Sequence, residues 1–404
     1  MTNACNIKGA LLVLNSGSSS VKFTVFQVDT VAAGGHQLAP FFAGQLDGIG
    51  TAARLKAKAA DKGLLADEPW GHLDKGTVPS VLPHLLSWIE NNLPTDLPLR
   101  AAGHRVVHGG SLFDKPVLAT ASVIAQLDGL SPLAPLHQPQ NLAAIRALAK
   151  SRPDLPQVAC FDTAFHQTQP ALSTTYAIPK RYTQEGVRRY GFHGLSYEYI
   201  AQYLAANKPG LAKGRVVVAH LGSGASLAAL KNGVSLDTSM GFSALDGVPM
   251  GTRPGAIDPG IIIHLMRRYS LDADELERLL YHESGLLGVS GLSNDMRAIE
   301  ASQEPDAQLA HDLFCSRVAK AVASLAVSMG GIDGLVFTAG IGEHSALIRE
   351  KICRYLAWLG FALDPLSNEA NDGLISTDGS LPVHVVPTDE EYMIASHTIK
   401  LQFG

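Results

Sequence analysis

Two short stretches of small polar residues have the composition needed to handle a phosphate. Asn15-Ser16-Gly17-Ser18-Ser19-Ser20 carries Lys22 close behind it, and His220-Leu221-Gly222-Ser223-Gly224-Ala225-Ser226 repeats the design about half a chain later. Amides and hydroxyls of such a turn can surround phosphate oxygens while the lysine adds charge. Spacing excludes two familiar loops. A Walker A loop needs G-x-x-x-x-G-K-[ST], but no second glycine precedes Lys22 and Phe23 follows it. The dinucleotide pattern G-x-G-x-x-G lacks its third glycine at Gly222-Ser223-Gly224 and again at Gly340-Ile341-Gly342. The motif by itself fits phosphate binding and an ordinary tight turn equally.

The arginines carry more information. Arg105 stands in an otherwise apolar run, as an internally paired arginine or a ligand contact would. Arg253 sits in PMGTRPGAIDPG, where glycines let backbone and ligand approach closely. Two such arginines can clamp a carboxylate and a phosphoryl group through forked hydrogen bonds. Asp162 ends an apolar run and suits either a cap or a partner for an arginine or a metal-bound water. His137 and His193 lie in loops beside Pro139 and Gly194, where polar side chains serve ligands or simply satisfy the loop. His104 and His108 are four apart, but the intervening Arg105-Val106-Val107 reads as strand without a glutamate, so zinc is not expected.

These residues need elements to hold them. Residues 10–28 read as a β-hairpin, with Lys22 on the opposite face from Val21 and Phe23. The stretch from Arg215 to Leu227 repeats strand, polar residue, Gly/Ser turn and returning strand. A duplicated α/β domain with a phosphate-gripping hairpin in each half accounts for the repeat. Strands are expected at 105–107 and 157–161, and helices at 81–92 and 141–150. A third strand, Leu335 to Thr338, runs through Gly340-Ile341-Gly342-Glu343 to a helix over 345–356, whose start suits phosphate or ribose. Prolines make Ser131–Asn141 a shaped loop, and residues 30–80 are weakly periodic and read as peripheral. Near the C-terminus, Thr388 is placed to cap a helix with Asp389, Glu390 and Glu391 in its first turn.

The 404 residues predict two domains, and 46% hydrophobic with 17% charged residues supplies two cores. A net charge of -5 excludes a global basic field for nucleic acid or an anionic membrane. Cys5, Cys160, Cys315 and Cys353 are far apart, which fits neither a disulfide framework nor a zinc cluster. MTNACNIKGA lacks the basic start and apolar run of a signal peptide. No apolar run approaches the roughly 20 residues that span a bilayer. A soluble cytoplasmic protein is expected.

Ten ordered blocks together resemble the acetate and butyrate kinase family, within the sugar kinase, heat-shock chaperone and actin superfamily. They are NSGSSSVK, GHRVVHGG, PLAPLHQP, FDTAFHQT, RRYGFHG, HLGSGAS, DTSMGFSALDGVPMGTRPGAIDP, GLLGVSGLSNDMR, FTAGIGEHSA and PTDEE. The resemblance implies an α/β fold of two duplicated RNase H-like domains with nucleotide in the cleft between them. Residues 1–161 with 388–404 would form one domain and 162–387 the other. It implies ATP or ADP as co-substrate, acetate or another short carboxylate as acceptor, and a homodimer. Asn15 and Glu390 would hold Mg²⁺, for which Mn²⁺ can substitute. Arg105, Arg253, His193 and Asp162 would be catalytic, with Arg105, Arg253, His193 and the metal as the positive groups and Asp162 orienting an arginine or the metal's water. Val107, Leu136, Phe192 and His137 would contact the carboxylate substrate. His220, Leu221, Gly222, Ser223 and Gly224 would touch nucleotide phosphates, and Lys22 either those phosphates or the other domain. Asp295, Met296 and Arg297, with Gly340, Ile341, Gly342, Glu343 and His344, would surround adenosine.

Some positions depart from the family pattern. Ser223, His344, Gln138 and Asp389 stand where asparagines are usual, and Tyr197 where a second histidine follows YGFHG. Ala244 replaces a common proline near the methyl pocket, which points to a pocket wide enough for propionate. The alternatives are therefore a propionate kinase and, in another class, a non-metabolic ATPase of the superfamily.

Overall fold

The computed structural model describes residues 8–17, 19–30, 36–71 and 76–403. Cys5, Ser18 and parts of the 30–80 stretch lie outside the described residues. The chain divides into two units. One runs as far as Ala164 and takes the chain back at Asp389, and the other is Phe165–Thr388.

In the first unit the described strands are β1 (Lys8–Ser16), β2 (Val21–Thr30), β3 (His36–Asp47), β4 (Arg54–Ala59), β5 (Leu64–Pro69), β6 (Leu99–Val106), β7 (Val117–Leu118) and β8 (Gln157–Phe161). They form one sheet in the order β5-β4-β3-β2-β1-β6-β8-β7. The expected hairpin is β1–β2, antiparallel, with Asn15 opposite Lys22 and Ser16 opposite Val21. Leu11, Leu12, Val13 and Leu14 are each at most 1% exposed because both faces of β1 are covered. β1, β6 and β8 run parallel. Lys22 is exposed while Val21 and Phe23 are buried, as the alternation required.

Two helices fill the core on one side. Val78–Asn91 buries Val81, Leu82, Leu85 and Ile89, and Gln138–Ser151 buries Leu142, Ile145 and Leu148. Phe23, Phe42 and Trp88 meet edge to face at 6.0–6.3 Å, an arrangement that aromatic quadrupoles favour. The C-terminal helix, Glu390–Phe403, packs against β1, β6 and β8. It passes so close to Gly103 that a Cβ there would stand 2.4 Å from Thr398 Oγ1 and 2.5 Å from Ile394 Cγ2, so only glycine fits.

Within residues 30–80, β3, β4 and β5 continue the main sheet outward from β2 and end at its edge with β5, so the peripheral stretch is built of regular strands. Their period was weak because few of their side chains are buried: Phe42 and Leu46 in β3, and Ala66 alone in β5. Pro40 and a register shift between Val25 and Phe26 further blur the alternation. The proline-rich loop is also shorter than expected. It contains a 3₁₀ turn at Ser131–Leu133, and the following helix starts at Gln138 with Pro139 in its first turn, where a missing N–H costs nothing.

The second unit holds β9 (Arg215–Leu221), β10 (Ala225–Lys231), β11 (Val234–Thr238), β12 (Gly334–Thr338) and β13 (Val383–Val385), in the order β11-β10-β9-β12-β13. β11, β10 and β9 are antiparallel, and β9, β12 and β13 are parallel. The first unit's β3-β2-β1-β6-β8 has the same order and directions. The repeat seen in two turns therefore extends to two five-stranded sheets. Ala339–His344, expected as a turn, is a short helix entered directly from β12. Ser345 then caps Ala346–Tyr355 by accepting from Ile348 N at 3.1 Å. At the C-terminal helix the cap is Asp389, which accepts from Tyr392 N at 2.7 Å. Thr388 instead donates to Ser196 Oγ. Among the described residues no helix is long and apolar enough to cross a membrane.

Candidate active site

Parallel strands deliver their C-terminal ends to one side of a sheet, and in open α/β sheets ligands bind there. In the first unit those ends are Asn15 and Ser16 on β1, Arg105 and Val106 on β6, and Asp162 after β8. Asp162, 2% exposed, accepts from Arg105 Nε at 2.9 Å and from Nη2 at 2.6 Å. Glu390 Oε2 lies 3.7 Å from Arg105 Nε. Burial works against the Arg105 charge, but Asp162 and Glu390 outweigh it and raise the guanidinium pKa. Burial raises Glu390 to about 7, with Asp162 and Glu391 adding to the rise and Arg105 opposing it.

Asn141 ties two of these strand ends together, since its Oδ1 accepts from Val107 N at 3.1 Å and its Nδ2 donates to Ser16 O at 2.8 Å. Asn15 is half-buried, and Ser16 Oγ is buried with no hydrogen-bond partner among the described residues. Val107 and Leu136 are half-buried, and His137 is exposed at the start of Gln138–Ser151. Gln138, one of the departures, is buried and holds His108 by both its amide N and its carbonyl O. Lys22 points to the opposite side of β2 from Phe23, into a groove lined by Gln45, Lys56, Asp67 and Glu391.

In the second unit β9 ends at His220 and Leu221, and the turn that follows, Gly222-Ser223-Gly224, leads into β10. His193 and His220 stack with centroids 4.2 Å apart and planes 17° from parallel. His193 Nδ1 lies 2.8 Å from Ser226 Oγ, and His220 Nδ1 lies 2.8 Å from Ser196 Oγ. His193 opens its helix in the left-handed region, φ 57°. The preceding Phe192 is buried, and its carbonyl accepts from His166 Nε2 at 2.9 Å.

Arg253 reaches the same turn. A Cβ on Gly224 would stand 2.9 Å from Arg253 Nη2 and 3.4 Å from His193 Nε2, so glycine leaves this space open. Arg253 Nη1 donates to Ala244 O at 2.8 Å. Among the described residues no carboxylate pairs with Arg253, and burial pushes its pKa down. A desolvated guanidinium without a counter-ion is unfavourable by several kcal/mol in general, and an anionic ligand removes that penalty.

The segments assigned to adenosine sit nearby in sequence space but are held differently. Asp295 caps Met296–Ala301 and forks onto Arg297, whose side chain is 90% exposed. Met296 is buried, Ser223 and His344 are exposed, and Gly340 and Ile341 lie in the first turn after β12. Glu343 accepts from Ala339 N at 2.8 Å and Thr388 N at 3.2 Å. Its carboxylate thus braces the backbone of this helix. Arg349, fully buried, donates to Gly342 O and Glu343 O, each at 2.9 Å, and to Asn368 and Asn371. Burial pushes Arg349 down to about 10.

The first unit therefore gathers Asn15, Arg105, Asp162 and Glu390, and the second gathers His193, His220, Gly222, Gly224 and Arg253. Sequence reasoning missed Asn141, Ser196, Ser226 and Arg349. Ser226 belongs to the repeated turn and was readable as part of it. Asn141 and Ser196 have partners remote in the chain, and Arg349 is one arginine of an amphipathic helix with no motif around it.

The profile of the acetokinase family matches residues 10–396. Proteins named acetate kinase from Nitrobacter hamburgensis and Rhizobium meliloti are 52% and 49% identical over 393 residues, covering 97% of this chain and 96% and 98% of their own length. Among solved structures, a propionate kinase from Francisella tularensis aligns with a TM-score of 0.89 at 39% identity, over 97% of this chain and 100% of its own. Acetate kinase from Porphyromonas gingivalis aligns at 0.85 and 38%, over 97% and 99%. The chain belongs to the acetokinase family, kinases that transfer phosphate to a carboxylate.

Proposed function

We propose that this protein moves the terminal phosphoryl group of ATP directly and reversibly onto acetate, giving acetyl phosphate and ADP. The observation that carries the reading is Arg253, a desolvated guanidinium with no carboxylate partner among the described residues, beside the open space at Gly224. It supports a site for the transferring phosphoryl group. A carboxylate is already a nucleophile, so no general base is needed. Charge repulsion and alignment make up the barrier, and fixed donors and cations address both terms. Arg105, its fork held by Asp162, orients the acceptor carboxylate, and Val107 and Leu136 lie against its methyl group. His220 and the Gly222-Ser223-Gly224 turn bind nucleotide phosphates, and the Asp295 and Gly340 segments flank adenosine.

Among the described residues no three His, Cys, Asp or Glu side chains form a metal cage. Magnesium does not need one, because it takes one or two carboxylates and completes its shell with water and substrate phosphates. The Glu390 carboxylate, the Asn15 amide and the orphaned Ser16 hydroxyl are hard oxygen donors of that kind. Held by these residues, Mg²⁺ would supply positive charge next to the substrate phosphates. Glu390, 3.7 Å from Arg105 Nε, would present a carboxylate oxygen to it.

Propionate is a second acceptor worth testing. Ala244 is the residue whose carbonyl Arg253 grips, and a small side chain there leaves room for one more methylene. Such a difference is worth only about 1–3 kcal/mol, so acetate and propionate should both react. We assign the protein to the cytoplasm as a homodimer, and sedimentation at twice the 42.7 kDa chain mass checks the assembly. Hydroxylamine trapping with ATP, Mg²⁺ and a series of straight-chain carboxylates tests the activity. Hydroxamate is expected from acetate and propionate and should fall steeply with longer chains. Its absence from both substrates would remove the kinase reading and leave the superfamily ATPase.

A further inference from the structure

His193 and His220 each have a buried serine on Nδ1, and each serine is held by a second hydroxyl. Tyr197 Oη lies 2.5 Å from Ser226 Oγ, which lies 2.8 Å from His193 Nδ1. Thr388 Oγ1 donates to Ser196 Oγ at 2.8 Å, and Ser196 Oγ lies 2.8 Å from His220 Nδ1. Ser226, Ser196 and Tyr197 are all 0% exposed. The two relays run side by side and end on two stacked rings.

Proton placement follows from donor counting. Ser196 accepts from Thr388, and His220 Nδ1 at 2.8 Å is the acceptor placed to take its own proton. The phenol is a better donor than an aliphatic hydroxyl, so Tyr197 donates into Ser226 and the Ser226 proton is directed at His193 Nδ1. A ring nitrogen that accepts carries no proton, which puts the proton of each neutral imidazole on Nε2. Two imidazolium rings stacked at 4.2 Å would repel, which disfavours charging both together. Both Nε2 atoms face the same turn. A Cβ on Gly224 would stand 3.4 Å from His193 Nε2, and one on Gly222 would stand 3.9 Å from His220 Nε2.

We propose that Ser226 with Tyr197, and Ser196 with Thr388, are positioning residues that fix His193 and His220 as a pair of neutral Nε2–H donors aimed at the phosphate-binding turn. The inference rests on the phosphoryl-transfer reading of that turn. It changes the role of His193, which the sequence placed among the positive groups: the ring gives a directed hydrogen bond, and Arg253 gives the charge. None of the four positioning side chains touches a reacting atom.

The test joins a spectrum to kinetics on the full chain. In protein labelled with ¹⁵N-histidine, His193 and His220 are expected as neutral Nε2–H tautomers near neutral pH, each assigned by its loss in a single His→Gln variant. Ser226→Ala should release His193 from that tautomer and leave His220 in it. The same variant should lower kcat on the order of 10–100-fold, as loss of an orienting partner does, with the KM for ATP little changed. Tyr197→Phe, which removes only the hydroxyl, should lower kcat in the same direction by a smaller factor. Nδ1–H or doubly protonated rings in the native protein would overturn the proposal, as would an unchanged kcat in Ser226→Ala. If no carboxylate is phosphorylated at all, the functional reading fails, while the spectrum still decides the tautomers.

Discussion

Arg105 and Arg253 are both half-buried guanidiniums, and they differ in what faces them. Asp162 neutralises Arg105 and leaves it a rigid fork, whereas Arg253 donates to a carbonyl, Ala244 O, and pairs with no carboxylate among the described residues. The uncompensated charge belongs where negative charge builds up in the transition state. Arg253→Ala should therefore reduce kcat at least on the order of 10²–10³-fold and change the ATP dissociation constant only a few-fold. An equal collapse of ATP affinity in calorimetry would contradict that role. The glycines and prolines around Arg253 made it legible in the sequence, and the apolar run ending at Asp162 marked that residue as a partner for an arginine. Ser196 and Asn141 were not legible, since their partners lie far along the chain. Asn141, for example, bonds Ser16, 125 positions away.

At the scale of elements, both site clusters sit at the C-terminal ends of parallel strands, and buried histidines underlie the first. His104 on β6 bonds Gln157 of β8 at 2.7 Å, and His108 follows β6. Burial lowers both to about 4, with the Gln157 bond opposing the shift at His104. Their unfolded value is near 6.5, so between about pH 6.5 and 4 the unfolded chain takes up protons that the folded chain refuses. The contribution of these two histidines should thus be full above pH 6.5 and fall as the pH drops towards 4, by up to roughly 3 kcal/mol each, while Glu390, raised to about 7, works in the opposite direction and offsets part of the decline. Urea titrations from pH 7 to 4.5 should show that decline, and His104→Gln should make it shallower. An unchanged slope would mean that His104 takes up its proton in the folded state. The β1–β2 and β9–β10 hairpins were legible because a buried strand leaves a continuous apolar run. Strands β3 and β5 were not, because few of their side chains are buried, whereas β4, with Leu55 and Ala57 buried between exposed neighbours, keeps the period of two and was readable.

For the whole molecule, the repeated turn was the visible part of a larger symmetry. Two sheets share the order and directions of five strands, a similarity carried by backbone geometry that survives when side chains diverge. Composition gave the domain count and excluded a basic nucleic-acid surface, but ten sequence blocks were needed to reach the chemistry, because fold does not dictate function. The proposed reaction passes phosphate from ATP to a carboxylate with little loss to water. Phosphorus NMR of the full chain with ATP, Mg²⁺ and acetate tests this most directly. An acyl phosphate resonance growing in step with ADP, and absent when acetate is omitted, is the predicted result. ADP accompanied by inorganic phosphate alone, at a rate indifferent to acetate, would contradict it.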